Sequence, residues 1–309
     1  MSRRSWLIFS AVSVIWGLPY LLIKIADDGG ATPATLAWGR IVIGAAILLA
    51  WSARLGVLDT LRGSWRWIAL YAVAEISIPF PAIAAGEQRI PSSLAAIIVA
   101  AAPLIVALLA LRFDHEERVG GIRLAGLAIG LGGVVALVGI DAEASSSTLV
   151  GSGEVLLAAL GYAIGPMVLK RKLAAVDPRA AIGASLALAA LLLTPVAALD
   201  LPARVPTAGA LAAIAVLGAL CTAIAFALMA VLVLDVGPSR ALVITYVNPL
   251  IAVALGVALL GERPGAGAIA GLLLILAGSW LATDGRLPPG PSTALARLRR
   301  RRDPATGGA

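Results

Sequence analysis

The chain has 309 residues, of which 60% are hydrophobic and only 13% are charged, and its mean hydropathy is +0.98. Soluble domains carry about 25% charged residues, so this composition excludes an ordinary soluble globular protein. The net charge of +7 does not indicate a nucleic-acid ligand, because the charges lie in short loops between apolar runs and in the C-terminal tail. One histidine and one cysteine cannot build a zinc site of the usual kind. We therefore expect neither a metal nor a cofactor.

Apolar runs long enough to cross a hydrocarbon core of about 30 Å as helices recur along nearly the whole chain. The first run follows Arg3-Arg4, as a signal peptide would, but it is too long and carries Gly17 and Pro19 in its middle. We interpret it as a membrane helix. The sequence predicts an all-α integral membrane protein with ten transmembrane helices, at about 6–25, 34–51, 67–86, 93–111, 122–140, 152–169, 180–199, 208–234, 240–260 and 266–283.

The positions of Lys and Arg predict the orientation of these helices. With the N-terminus inside, 19 of them fall in cytoplasmic segments, four (Lys24, Arg89, Arg204 and Arg263) fall outside, and Arg40 falls within a span. Basic residues are retained on the cytoplasmic side. We therefore predict a multi-pass protein of the cytoplasmic (inner) membrane with both termini in the cytoplasm.

The two halves of the chain resemble each other at an offset of 145 to 146 residues. The matching positions are Trp16 and Tyr162, Lys24 and Lys170, Pro33 and Pro178, Phe80 and Phe226, Pro103 and Pro249, Glu117-Arg118 and Glu262-Arg263, Gly126 and Gly271, and Gly133 and Gly278. Each half holds five predicted helices, so the halves would be inverted relative to each other, as in many secondary transporters. We divide the chain into a first repeat at 1–143, a second repeat at 144–284 and a disordered basic cytoplasmic tail at 285–309.

Several of these motifs carry a family resemblance. Asn248-Pro249-Leu250, followed by Gly261-Glu262-Arg263-Pro264 and a glycine-rich last helix, resembles the EamA-type family of the drug/metabolite transporter superfamily. Ala102-Pro103-Leu104 with Glu117-Arg118 looks like the same module in the first half, and Trp16-Gly17 and Arg40 also fit the family pattern. Glu75 departs from the commoner pattern.

The resemblance implies a secondary transporter that exports small metabolites, amino acids or drugs by alternating access, and it does not identify the substrate. Glu75 leaves proton coupling open. A flippase for lipids or lipid-linked sugars is a variant that the sequence does not separate from this function. A membrane-embedded enzyme is the weaker alternative, because the spans hold no carboxylate pair, His cluster or Ser-His arrangement. No phosphate-binding Gly-rich Lys-Ser/Thr motif is present.

Glu75 and Arg40 are the leading candidates for a site. At a rise of about 1.5 Å per residue, Glu75 lies roughly 12 Å above the cytoplasmic edge, and the two α-carbons differ in depth by roughly 8 Å. A charge at this depth should face protein or a water-filled cavity. Pro79 and Pro81 free the carbonyls of Glu75 and Ser77 beside the carboxylate. Glu75 is thus either a substrate or proton site or the fixed partner of Arg40 in an ion pair.

Further candidates for lining the pathway are polar or aromatic side chains within the spans: Trp16, Trp38, Tyr71, Ser77, Tyr246 and Asn248. The alternative for the aromatic residues is packing. The Asn248-Pro249 pair predicts a local break in the ninth helix that exposes backbone carbonyls.

The glycines of the fifth and tenth helices, including Gly126-xxx-Gly130 and Gly267-xxx-Gly271, predict close helix packing within a monomer or a homodimer. Glu262-Arg263 follows a loop at a predicted helix start and is interpreted as structural. The expected partners are a small-molecule substrate and membrane lipids, the latter bound through the basic tail, with no nucleic acid.

Overall fold

The computed structural model describes residues 2–113, 121–139, 145–236 and 244–282, and within these ranges the chain is helical with no β-strand. Six helical segments are long and apolar enough to cross a membrane: Arg3–Asp28, Pro33–Arg54, Trp65–Glu87, Ser146–Lys172, Pro178–Leu199 and Ala208–Leu232. Shorter apolar helices cover Ser92–Val106, Leu124–Ala136, Ile244–Leu260 and Ala266–Leu281. The predicted all-α, multi-span membrane class is confirmed. The tail and the Glu117-Arg118 loop lie outside the described residues.

Individual helices are named by their observed bounds: α1 Arg3–Gly17, α2 Pro19–Asp28, α3 Pro33–Arg54, α4 Trp65–Tyr71, α5 Pro79–Glu87, α6 Ser92–Val99, α7 Ala102–Phe113, α8 Gly121–Gly139, α9 Ser146–Lys172, α10 Pro178–Leu199, α11 Ala208–Val216, α12 Ala225–Val236, α13 Ile244–Leu260 and α14 Ala266–Ala282. Prolines begin α2, α3, α5 and α10 because the first turn of a helix needs no N–H donor.

Two wide turns interrupt this regular pattern. Residues Ala72–Ser77 and Leu217–Ile224 form π-helix, the first between α4 and α5 and the second between α11 and α12. In the first, Pro79 has no N–H, and the amide of Ile78 donates to Val73 five residues earlier at 3.1 Å. Phe80 and Phe226, which match in the sequence repeat, follow the two π segments closely. Such π turns occur frequently at functional sites.

The predicted break at Asn248-Pro249 is wrong, because α13 runs unbroken through Pro249. The Asn248 amide, in the orientation that satisfies its neighbours, donates to the backbone oxygens of Ile244 at 3.0 Å and Ser13 at 3.1 Å. One of these bonds lies within α13 beside Pro249, and the other connects α13 to α1. A break is present instead at the matching proline of the first half, where α6 ends at Val99 and α7 begins at Ala102, just before Pro103.

Helices α8 and α14 pack backbone against backbone through their glycines. A Cβ added to Gly133 would lie 2.9 Å from the carbonyl oxygen of Gly271, and one added to Gly278 would overlap the backbone of Gly130. Small residues at such contacts allow close approach of helices. The prediction of close packing for these glycines is confirmed, and the contact lies within one chain.

The helix ends meet in two separate groups, as alternate crossing of a membrane requires. At one end, the amide of Thr207 donates to the backbone oxygen of Gly29 at 2.9 Å, and Arg89 pairs with Glu154 at 2.8 Å. At the other end, the amide of Asp177 donates to Thr60 Oγ1 at 3.2 Å, and hydrogen bonds from Arg179 lower the pKa of the Asp177 carboxyl. We call the first end the Glu87 end, because Glu87, the last residue of α5, lies there. The positions of Lys and Arg in the sequence predict that this end faces outside the cell.

Candidate functional site

Arg40 lies buried in the middle of α3, with 6% of its surface exposed. Its Nη2 atom donates to Thr222 Oγ1 in the second π segment at 3.3 Å, and its guanidinium carbon lies 4.0 Å from the centroid of the Phe80 ring. The Nε atom has no hydrogen-bond partner. Among the described residues no carboxylate pairs with Arg40. The membrane interior thus holds a cation with donor capacity left over.

Glu75 lies in the first π segment and is also buried, with 8% of its surface exposed. Its carboxylate packs against Gly165 of α9, where a Cβ would overlap Oε2, and that oxygen has no hydrogen-bond partner. A Cβ at Gly161, one turn earlier, would overlap the carbonyl oxygen of Ala74. The two glycines therefore allow α9 to lie directly on the π segment that carries the acid.

The structure does not contain the Glu75–Arg40 ion pair that the depth estimate allowed. Arg40 is turned toward Thr222 and Phe80, whereas Glu75 is turned toward α9. Each therefore keeps a buried polar atom without a hydrogen-bond partner, and such atoms are costly. The functional interpretation of Glu75 remains a prediction, and the pairing alternative has no support in this conformation.

Tyrosines connect the two charged groups. Tyr162 of α9 lies near both Arg40 and Glu75, Tyr20 of α2 lies near Arg40, and Tyr71 of α4 lies near Glu75. A phenol offers an apolar ring and a hydroxyl that donates and accepts hydrogen bonds. Arg40, Glu75, Thr222 and these three tyrosines are called the central polar cluster below.

The other predicted site residues divide into two groups. Trp16 reaches the cluster, since its indole N–H donates to the carbonyl of Cys221 at 3.2 Å and its ring meets Phe226 edge to face at 5.6 Å. Ser77 lies in the first π segment with a buried, unpartnered hydroxyl. The remaining predicted residues are used elsewhere: Trp38 donates to Thr194 Oγ1 at an exposed position, Tyr246 donates to the backbone of Ser279 in α14, and Asn248 bonds to α1 and its own helix.

Sequence reasoning missed the roles of Thr222, Phe80, Tyr162 and the glycine pair of α9. The pair was recognisable as Gly161-xxx-Gly165, the spacing of close helix contacts. Thr222 and Phe80 had no such signal, because a single Thr or Phe in a membrane helix usually bonds to its own backbone or packs in the core. No cluster of three or more His, Cys, Asp or Glu suited to a metal ion lies within the described residues.

The contact between α9 and the first π segment can be tested with alanine. Gly161→Ala is expected to lower the thermal midpoint of the purified protein, because the new methyl group would overlap the Ala74 carbonyl and overpacking costs about 1–3 kcal/mol. Gly153→Ala in the same helix meets open space and should be neutral or stabilising. Equal midpoints for the two variants in detergent would contradict the packing described here.

The helical fold and the buried, charged cluster within its spans define an integral membrane protein with a polar site inside the membrane. The model of the EamA-like transporter family matches residues 4–139 and again residues 151–283, so the chain belongs to this family of membrane transporters. A solved crystal structure superposes with a TM-score of 0.66 over 90% of this chain and 97% of that one, at 23% identity, which shows the shared fold.

Three related proteins have names that describe a transporter or an efflux pump. The chain is 28% identical over 257 residues to the inner membrane transporter YedA of Escherichia coli K12, covering 82% of this chain and 81% of that protein. It is 30% identical to an uncharacterized transporter of Synechocystis, covering 58% of this chain and 59% of that protein's length. A protein of E. coli K12 described as a probable amino-acid metabolite efflux pump is 29% identical over 172 residues, 55% of each chain.

Proposed function

We propose that the chain is a secondary transporter that exports small metabolites, amino acids or drugs across the cytoplasmic membrane. Export proceeds by alternating access between two inverted five-helix halves, with both termini in the cytoplasm. The observation that carries the proposal is the pair of buried, unpaired charges, Arg40 and Glu75, on helices long enough to span the membrane. The family membership supports the transport class.

Two uncompensated charges in a membrane interior need a functional explanation. A charged side chain at the centre of a membrane helix costs about 2.5–3.5 kcal/mol even on insertion scales. Arg40 recovers part of this cost through Thr222 and the Phe80 ring, but Glu75 has no hydrogen-bond partner at its buried Oε2. A solute that supplies the missing partners would recover the remainder, so the binding of substrate explains why the charges are present.

The arrangement fits a small zwitterion best. A guanidinium with free donors recognises a carboxylate, and a carboxylate with a free oxygen recognises an ammonium group. Tyr162 lies near both Arg40 and Glu75, so its ring and hydroxyl can contact the part of the solute that lies between these two groups. Amino acids and their close metabolites carry both groups. The name of the E. coli efflux-pump relative agrees with this substrate class.

The position of Arg40 also suits alternating access. Its helix α3 belongs to the first matched stretch, whereas its partner Thr222 belongs to the second. Phe80 and Phe226 follow the two π segments at equivalent sequence positions, and each contacts one member of the site, Arg40 or Trp16. A rocking motion of one half against the other would change the Arg40–Thr222 contact directly, which couples the site to the conformational change.

One further surface bears on the flippase alternative. A groove of about 440 Å³ lies between α3 and α10, and it is lined by Leu49, Leu58, Leu61, Arg62, Trp65, Ala184, Ala187, Leu188 and Leu191. The groove is almost wholly apolar, so it suits an acyl chain and offers no polar track for a headgroup. The central polar cluster, by contrast, suits a small polar solute. We therefore place small-solute export ahead of lipid transfer.

The proposal is tested by export from cells. An E. coli strain deleted for its own amino-acid exporters would express the protein, and tolerance to a panel of toxic amino-acid analogues and dipeptides would be measured together with release of radiolabelled amino acids. At least one zwitterion should be released faster than from cells with the empty vector. Arg54→Gln, at the exposed end of the same helix, should behave like the wild type. Fluorescent-lipid transfer in proteoliposomes without any solute export would overturn the proposal in favour of a flippase.

A further inference from the structure

A second buried carboxyl lies at the Glu87 end and is connected through Ser92 to the backbone of Tyr20, a member of the central polar cluster. Glu87 is the last residue of α5 and has 2% of its surface exposed. Its Oε2 atom lies 2.6 Å from the hydroxyl of Ser92, the first residue of α6, and its Oε1 atom is buried with no hydrogen-bond partner. The role proposed above for the central polar cluster does not use this acid.

The Ser92 hydroxyl has two possible acceptors for its single hydrogen. The Ser92 hydroxyl lies 3.1 Å from the carbonyl oxygen of Tyr20 and 2.6 Å from Glu87 Oε2. A hydroxyl has one hydrogen to donate, and a carbonyl can only accept. If Ser92 donates to Tyr20, the hydrogen in the short contact must belong to Glu87.

The same serine is tied to the other half of the chain. Glu262, in the connection between α13 and α14, accepts hydrogen bonds from the amides of Ser92 at 2.8 Å and Ser93 at 2.9 Å. Glu262 therefore has a structural role, as predicted. It caps the N-terminus of α6, however, and not the N-terminus of α14, the helix that follows it in the chain. Ser92 thus joins α2, α5 and α6 to the second half at the Glu87 end.

We propose that Glu87 is a proton-binding site and that its proton holds the outer end of the transporter closed. This inference rests on the proposed transport function and names its coupling ion. With the proton bound, Glu87 donates to Ser92 and Ser92 donates to Tyr20. When the proton leaves, the single hydrogen of Ser92 turns to the carboxylate and the bond to Tyr20 is lost. The contact between α2 and α6 then loosens, and the charged Glu87 also repels the nearby Glu262.

Protons outside the cell would therefore close the empty transporter after substrate release. The charged and titratable groups that lie near Glu87 are Lys24, Asp27 and Tyr20 on α2, Arg40 on α3, and Glu262 before α14. The ion pair of Arg89 and Glu154 links the same end of α5 to α9. Lys24 is engaged by Asp28 at 3.0 Å, so it does not form an ion pair with Glu87.

The proton can be observed without any substrate. Infrared spectra of the purified protein in liposomes would be recorded across a pH series, following the carbonyl stretch of protonated carboxylic acids. We expect a band that disappears as the pH rises and that is lost in Glu87→Gln. Glu154→Gln, which removes a paired carboxylate at the same end, should keep the band. A band that is unchanged in Glu87→Gln but lost in Glu75→Gln would overturn the assignment.

A second measurement tests the closure itself. In a Cys221→Ser background, a cysteine at Leu94 of α6 would report access from outside through its labelling by a membrane-impermeant maleimide. Labelling should rise with pH by roughly five- to tenfold, the population shift for losing one buried hydrogen bond. Glu87→Gln, whose amide can still donate to Ser92, should label slowly at every pH, and Ser92→Ala should label fast at every pH.

The two proposals fail separately. Labelling that is independent of pH in the wild type, or equal in Glu87→Gln and Ser92→Ala, would overturn the gating role whether or not the protein exports a solute. Conversely, pH-dependent labelling with no exported solute in the substrate panel would overturn the proposed transport function and leave the proton site in place. Thermal midpoints of both variants check that each is folded.

Discussion

An Arg40→Gln variant is expected to reach the membrane in normal amount and to lose export of its zwitterionic substrate. The change removes the guanidinium that would bind the substrate carboxylate, and a hydrogen bond to a charged group contributes about 1.5–3 kcal/mol. That energy corresponds to a roughly 10- to 150-fold weaker apparent affinity. Transport of a radiolabelled substrate in everted vesicles, measured over a range of substrate concentrations, gives the apparent affinity of each variant.

Folding should tolerate the change, because no partner is left unsatisfied. Thr222 still donates to the backbone of Leu217 at 2.8 Å after its contact with Arg40 is gone, and no carboxylate depends on the guanidinium. Arg40→Lys should recover little export, since an ammonium neither stacks like a guanidinium on Phe80 nor binds a carboxylate with two parallel bonds. Full export by Arg40→Lys, or unfolding of Arg40→Gln, would contradict the assignment.

A Glu75→Gln variant is expected to fold normally and to lose export, or the pH dependence of export. The side chain keeps its shape against Gly165 but can no longer carry the negative charge that would bind an ammonium group or a proton. A fixed ion pair predicts a different result, because removing one partner of a buried pair costs about 3–5 kcal/mol of stability. The thermal midpoint and the export rate, measured across a pH series, separate the two.

The double variant Glu75→Gln/Arg40→Gln completes this test. An ion pair predicts that removing both charges restores stability and activity together, whereas the unpaired geometry predicts no recovery of export. Gly165→Ala adds a methyl group on α9 that would overlap the Glu75 carboxylate, so this variant should also impair export. Full export by Glu75→Gln at every pH would end the functional interpretation of this acid.

Much of the architecture could be read from the sequence because the bilayer imposes simple rules on it. Hydrocarbon thickness sets the length of an apolar run, so the long spans were predicted within a few residues of their observed ends. The glycine patterns likewise predicted that α8 and α14 pack closely against other helices. Arg40 and Glu75 stood out for the same reason, since a charge within an apolar run is costly wherever the helix points.

Which side chains meet was decided only by the tertiary structure. The depth estimate brought Arg40 close to Glu75, but the observed rotations of their helices direct one toward Thr222 and the other toward Gly165. Helical periodicity gives a residue's depth and not the direction of its side chain, and the π segments shift that direction further. Glu87 marks the same limit, because a charged residue at the end of an apolar run can be buried or exposed and its sequence position does not distinguish the two. Its burial and its hydrogen bond with Ser92 arise from packing against α2 and α6, which no local pattern encodes.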